Sequence, residues 1–437
     1  LAGTVGDLGN IPGTVAFSGG LGSGVTAGVI GKTDRGTINV DIVAGIDEAD
    51  ILDILTSAPI DKAYASGEAG TVGTVDLSST DGNITVTLDI ANIGSSIGAV
   101  TLNTGSTYET KAEAADVFRA AGSITIDSTL GQNFGTLGAI TANTASGNIS
   151  QIGTYLNTSA ITLTAGTYAD IDTAVGAGEP PVVVASGNII STLTALGSHG
   201  LVTLNTVDSR VDVSSGGTIT ANLTVGGTSA GAQSLVATSE AGAIVGNVSA
   251  VVNAIAVDAN GSGVAATNYT GVSKDVSLTS VSGNINSTLT TQFLAGSPNR
   301  VGTIGNVVAM TGTTYTPSAA AVDVLVAAGN VTITGASVGA VGNITGSVNT
   351  GTATLTGSFD RTVGNIALTA GAYTDGDTVA GLGEPAVVIA AGAVNYVPTY
   401  SGVASTTIGT VALAAGGSLL NGGVAGNVTD NSVMVND

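Results

Sequence analysis

Apolar and polar side chains alternate along this chain in short bursts. Ile84-Thr-Val86-Thr-Leu88 is one such burst, and a period of two turns every second side chain to the same face of a strand. Each burst runs for about four to six residues and is bounded by Gly, Asn or Ser, which tolerate the backbone geometry of a tight corner. The boundary recurs as Gly-Asn-(Ile/Val), at Gly9, Gly82, Gly147, Gly187, Gly246, Gly283, Gly305, Gly329, Gly342, Gly364 and Gly426. A second form, Gly-x-(Ile/Val)-Thr-(Leu/Ala)-Asn-Thr, begins at Gly98, Gly138 and Gly200. The pattern predicts short β-branched strands separated by turns. Two segments depart from it: Ile46–Leu55 and Glu109–Arg119 place apolar residues at helical spacing and predict short covering helices.

The rhythm is duplicated at long range. Thr164-Ala-Gly-Thr-Tyr168, followed by Asp170, Asp172, Gly178-Glu179-Pro180 and Gly187, returns 205 positions later as Thr369-Ala-Gly-Ala-Tyr373 with Asp375, Asp377, Gly383-Glu384-Pro385 and Gly392. Tyr64 and Tyr269 keep the same spacing, and Tyr108 and Tyr315 nearly so. The strand positions keep their order while the segments between them change length, as expected of stacked repeats that accept insertions on one side. No Pro/Ser-rich linker divides the copies. Residues 65–437 therefore read as one continuous β-solenoid, and residues 1–64 as an irregular strand-and-helix end cover.

The expected fold is all-β: a parallel β-helix, or β-solenoid, with irregular loop insertions. Asn-Gly hairpin turns of the kind that join antiparallel neighbours do not recur between the bursts. Asn at equivalent corners of successive coils can form hydrogen-bonded ladders along the axis, which accounts for the recurrence of Gly-Asn. Tandem β-sandwich domains are the alternative, disfavoured because such cores use large aromatic residues. Here aromatic residues make up 3% of the chain, Trp and Cys are absent, and the apolar residues are mainly Val, Ile, Leu and Ala. In its Gly-Asn-Ile turns and Thr/Val strands the chain resembles the secreted β-helical repeat proteins of bacterial and archaeal surfaces, such as filamentous-haemagglutinin-like and autotransporter passenger regions. The resemblance covers most of the chain and lies in repeat style, so it implies a fold and a surface setting but assigns no functional residue.

Charge narrows the partners. With 31 acidic and 9 basic residues the net charge is −22. Nucleic acid and anionic membranes both recruit clustered Lys or Arg, which this chain lacks, so neither is an expected partner. No apolar run approaches the roughly 20 residues of a membrane-spanning helix. Because the chain begins at Leu1 rather than Met, a removed N-terminal segment is expected, an export signal being the obvious candidate.

Catalytic signals are sparse. The one histidine, His199, sits in a turn-like Gly-Ser-His-Gly. Gly227-Thr-Ser229-Ala-Gly231 has nucleophile-elbow spacing, but that motif needs a strand–turn–helix and a downstream histidine. Gly31-Lys32-Thr33 lacks the upstream glycine of a phosphate loop. Two patterns remain as site candidates. Asp170, Asp172 and Glu179, with their copies Asp375, Asp377 and Glu384, could offer alternating oxygens to calcium; the competing reading is a solvated loop stiffened by Pro180 or Pro385. Asn-x-Ser/Thr triplets at Asn83, Asn148, Asn222, Asn247, Asn268, Asn330 and Asn343 are candidate glycosylation sites, in competition with an internal Asn ladder. No cofactor is required, and calcium is the one the loops would take.

The expected function is that of a non-enzymatic, extracellular or cell-surface structural protein that assembles with itself into a layer, sheath or filament. An adhesin binding cell-surface glycans through its loops is the second reading. A polysaccharide-cleaving β-helix enzyme is the third, by analogy of fold.

Overall fold

In the computed structural model Ile84, Ile124, Ile149 and Ile189 stand one above the next, each opening a strand and each almost fully buried. The structure describes residues 4–5, 11–18, 27–33, 37–46, 71–79, 82–90, 95–105, 107–108, 117–118, 122–145, 147–166, 187–206, 217–226, 231–239 and 242–250. Beyond these it describes 252–255, 267–280, 283–291, 293–294, 297–312, 314–315, 324–325, 329–348, 351–371, 392–402, 407–419, 422–425, 427–430 and 433–436. The chain forms two compact units, Leu1–Gly217 with Thr224–Ala230 and Asn253–Tyr269, and Thr218–Leu223 with Gly231–Val252 and Thr270–Asp437.

In the N-terminal unit each coil has three sides. The long side stacks Ile11–Ser18, Ile38–Ile46, Ile84–Ile90, Ile124–Leu137, Ile149–Thr158 and Ile189–Ala195, all parallel. A shorter side stacks Ala27–Thr33, Thr71–Ser79, Val100–Thr104, Ile140–Thr144, Ile161–Ala165 and Val202–Thr206, again parallel. A narrow third side joins them, where Val72, Ile97, Leu137, Thr158 and His199 follow one another in register. This is a parallel β-helix, and parallel pairing throughout these sides is incompatible with antiparallel sandwich sheets. Residues 1–64, expected as an irregular cover, contribute strands 11–18, 27–33 and 38–46 to the stack; its other described residues are Thr4–Val5 and Thr37.

The C-terminal unit is built the same way. Its long side includes Ile244–Ala250, Ile285–Thr291, Val331–Val341, Thr352–Val363 and Ala393–Gly402. Its shorter side includes Gln233–Ser239, Asp275–Ser280, Val307–Thr311, Ile344–Val348, Ile366–Ala370 and Val411–Leu419.

Alternation produces the core directly. Along Ile84–Ile90 the side chains alternate buried and half-buried, the inward set being Ile, Val, Leu and Ile. Each such side chain taken from water is worth about 1.5–3 kcal/mol, and a coil of small branched residues needs no large ring to fill it. Among the described residues the buried Tyr and Phe rings are Tyr155, Phe359, Tyr396 and Tyr400. Tyr155 and Phe359 lie over Gly153 and Gly335, where a β-carbon would approach the rings within 2.6 and 2.7 Å.

Among the described residues there is no helix. Ile46 ends a strand, and residues 47–55 of the predicted helix lie outside the description. Within the other predicted helix, Val117–Phe118 forms a small antiparallel pair with Thr107–Tyr108. Its counterpart in the duplication does the same, Val324–Leu325 pairing with Thr314–Tyr315. Tyr108 and Tyr315 thus stand in equivalent antiparallel pairs, and residues 109–116 and Arg119 of the predicted helix lie outside the described residues.

Candidate functional site

The chemistry-bearing side chains gather at the corners. Ahead of the long-side strands comes Gly followed by a small residue: Gly82-Asn83, Gly122-Ser123, Gly147-Asn148 and Gly187-Asn188. Asn83 Oδ1 accepts the backbone N–H of Ser123 at 2.8 Å, Ser123 Oγ accepts that of Asn148 at 3.2 Å, and Asn148 Oδ1 accepts that of Asn188 at 2.8 Å. The C-terminal unit repeats the device, with Asn284 accepting from Asn330 and Asn330 from Thr352, both at 2.8 Å. It adds a longer ladder ahead of its shorter-side strands. There Asp275 accepts from Asn306 at 2.8 Å, Asn306 from Asn343 at 2.9 Å, Asn343 from Asn365 at 2.8 Å, and Asn365 from Thr410 at 3.0 Å. Corner N–H groups that lie outside the regular strands thus receive acceptors from the coil before.

Glycine supplies the room for this. A β-carbon on Gly187 would stand 1.8 Å from the Gly147 carbonyl oxygen, and one on Gly122 2.0 Å from that of Gly82. Hydroxyls at the last inward position of the shorter side fasten the same corner from within. Ser79 accepts the N–H of Gly82 and Ser280 that of Gly283, each at 2.9 Å, and Thr104 Oγ1 donates to the Gly122 carbonyl at 2.7 Å.

Four sequon asparagines therefore have structural work. Asn83, Asn148, Asn330 and Asn343 are exposed rungs of the corner ladders. Asn222 and Asn247 lie on strands, where Asn247 Nδ2 donates to Asn222 Oδ1 at 2.9 Å and Asn247 Oδ1 accepts the N–H of Thr288 at 3.1 Å. Asn268 belongs to Thr267–Thr270. The ladder suggested by the recurrent Gly-Asn is present, and Asn83, Asn148, Asn330 and Asn343 are rungs of it.

The acidic candidates Asp170, Asp172, Glu179, Asp375, Asp377 and Glu384 lie outside the described residues. What is described is how their segments begin and end. Gly166 and Gly371 carry φ of 89° and 79°, a left-handed geometry that glycine adopts freely, and the chain rejoins the stack at Gly187 and Gly392. Gly105 and Gly312, with φ of 90° and 96°, open the insertions that hold Tyr108 and Tyr315. These four of the five left-handed glycines were not singled out from sequence; their signal is a Gly directly after the inward Ala or Thr that ends a shorter-side strand. Among the described residues no group of three or more His, Asp or Glu could hold a metal ion.

The remaining candidates take ordinary places in the stack. His199 is fully buried on the narrow side, beside Thr158, and its Nδ1–H donates to the Gly200 carbonyl at 2.6 Å. Burial lowers its pKa, and the bond to Gly200 opposes that shift. Lys32 and Thr33 are the last residues of the strand Ala27–Thr33, and Ser229 lies outside the described residues. Comparison of the chain with family models, curated proteins and solved structures gives no match.

Proposed function

We propose that this is an exported, non-enzymatic structural protein whose solenoids assemble with further copies into a layer, sheath or filament at the cell surface. One observation carries the reading: the sheet edge at residues 411–415. Val411 stacks in register on Ile366, yet Val411 is 42% exposed where Ile366 is 1% exposed. Leu413 and Ala415 are half-exposed below the buried Leu368 and Ala370. Among the described residues no strand pairs with the far side of 411–415. An open edge with inward apolar positions uncovered is a template for another strand, and a parallel in-register coil of the same design, from the same chain or from another copy, would satisfy both its backbone and its core.

The test is electron microscopy and light scattering of the purified chain, in calcium and in chelator, beside a Val411→Lys variant. Ordered fibres or sheets that the variant fails to form support the reading. A chain that stays monomeric at high concentration in both buffers overturns it. An adhesin remains the second reading, favoured by the insertions that leave from equivalent left-handed glycines; it predicts glycan binding by the monomeric chain.

A further inference from the structure

The outward side of the shorter sheet in the N-terminal unit carries a regular grid. Val100–Thr104, Ile140–Thr144, Ile161–Ala165 and Val202–Thr206 pair without a register shift. Thr101, Thr141, Thr162 and Thr203 consequently form one column, and Asn103, Asn143, Thr164 and Asn205 the column beside it. All eight are half-exposed. Parallel strands set the rungs about 4.7–4.9 Å apart, and alternate residues along a strand lie about 6.6 Å apart. Threonine is stiff at χ1, and Asn143 Nδ2 donates to Asn103 Oδ1 at 3.0 Å, so the polar atoms are held in place before any ligand arrives.

Strand propensity alone favours threonine, and the second unit provides the comparison that separates propensity from surface design. Its shorter side buries the same kind of inward residues, including Val307, Ile344, Ile366 and Leu368. Its outward positions nevertheless include Val308, Met310, Ala367, Ala412 and Ala414, with Met310 45% exposed. Packing of this sheet therefore does not demand Thr or Asn outside. The eight grid positions are uncharged in a chain of net charge −22, and the Thr101 column continues on the preceding strand at the half-exposed Asp76.

A fitting ligand is neutral, offers donors and acceptors together, and repeats in two dimensions. The grid presents no aromatic ring of the kind that gives a binding surface its large apolar contacts, which disfavours crystalline polysaccharide. We infer that the Thr101–Asn205 grid binds the surface of ice. Each threonine sets a hydroxyl beside a methyl group, so the grid anchors water at fixed lateral positions while keeping it from bonding elsewhere, and ordered water of that layer merges with the lattice of the crystal. This inference does not depend on assembly and concerns a different face from the 411–415 edge.

The experiment follows growth of single ice crystals and freezing-point hysteresis in solutions of the full chain, with Thr141→Tyr and Thr162→Tyr as grid variants. Thr345→Tyr, at an outward position of the second unit, is the control, and circular dichroism checks folding of all four. The expected result is faceted crystals and measurable hysteresis with the parent chain and with Thr345→Tyr, and loss of both in the grid variants at unchanged circular dichroism. A folded parent chain that leaves ice growth unaltered overturns the inference. So does a grid variant with parental hysteresis, or a grid-dependent binding to crystalline chitin or cellulose without any effect on ice.

Discussion

Asn343 Oδ1 accepts the backbone N–H of Asn365 at 2.8 Å, one coil and 22 residues further along. The same asparagine gives its own N–H to Asn306 at 2.9 Å, so it is an interior rung of a ladder. Asn343→Ala removes one acceptor at an exposed corner where water can partly replace it. The expected loss is about 0.5–1.5 kcal/mol, read as a lower denaturant midpoint. Asn343→Asp keeps the acceptor, as Asp275 does at the first rung, and should stay close to the parent. Equal losses for Ala and Asp would show that the acceptor is not what matters.

The glycine beneath each rung is a sharper constraint. On Gly187 a β-carbon meets the Gly147 carbonyl oxygen at 1.8 Å, whereas on Gly231 its nearest neighbour is 3.7 Å away. Gly187→Ala should therefore cost about 1–3 kcal/mol or more, as overpacking does, and Gly231→Ala should be nearly neutral. Thermal denaturation of the two variants decides it, and comparable midpoints would refute the close stacking of backbones at this corner.

These corners explain how much of the molecule was legible in advance. Ile84-Thr-Val86-Thr-Leu88 announces its strand because the inward and outward environments differ so strongly, and Gly-Asn announces the corner because both residues have a steric and a hydrogen-bonding task there. Recurrence hides which corner is meant: Gly329-Asn330 precedes a long-side strand and Gly342-Asn343 a shorter-side one, although the two dipeptides are identical. In the predicted helix Glu109–Arg119 the described part, Val117–Phe118, is strand, because Val117 pairs with Tyr108, a partner that local periodicity does not reveal. His199 looked like part of a turn because glycines flank it, and it is in fact an inward residue of the narrow side. Three of the four grid strands carry Gly-x-(Ile/Val)-Thr-(Leu/Ala)-Asn-Thr, but the two-dimensional order of the grid depends on register, which no single strand encodes.

Buried polar groups give a test of the interior. Ser191 Oγ donates to Gln151 Oε1 at 2.8 Å, while Gln151 Nε2, fully buried, has no hydrogen-bond partner. An unsatisfied buried donor costs about 1–3 kcal/mol, and replacing both partners with apolar groups removes that cost without leaving an orphan. The double variant Gln151→Met with Ser191→Ala should melt at or above the parent temperature. A clear fall in its melting temperature would indicate that Nε2 is satisfied, for instance by an internal water.

His199 sets a pH dependence with a definite sign. Burial lowers its pKa in the folded chain relative to the ordinary 6.5, so the folded state holds the neutral ring while the unfolded chain takes up a proton more readily. Stability from this group is complete above the unfolded value of 6.5 and declines as the pH falls through 6.5 towards the lower folded pKa. The neighbours in its column, Ile97 and Leu137, are apolar and buried, so His199→Leu should fold. Denaturant midpoints from about pH 7.5 to about pH 5 should fall more steeply for the parent than for His199→Leu, the shared carboxylates cancelling in the difference. Parallel curves for the two proteins would mean that the ring is protonated as readily in the stack as in the unfolded chain, which its burial beside Thr158 argues against.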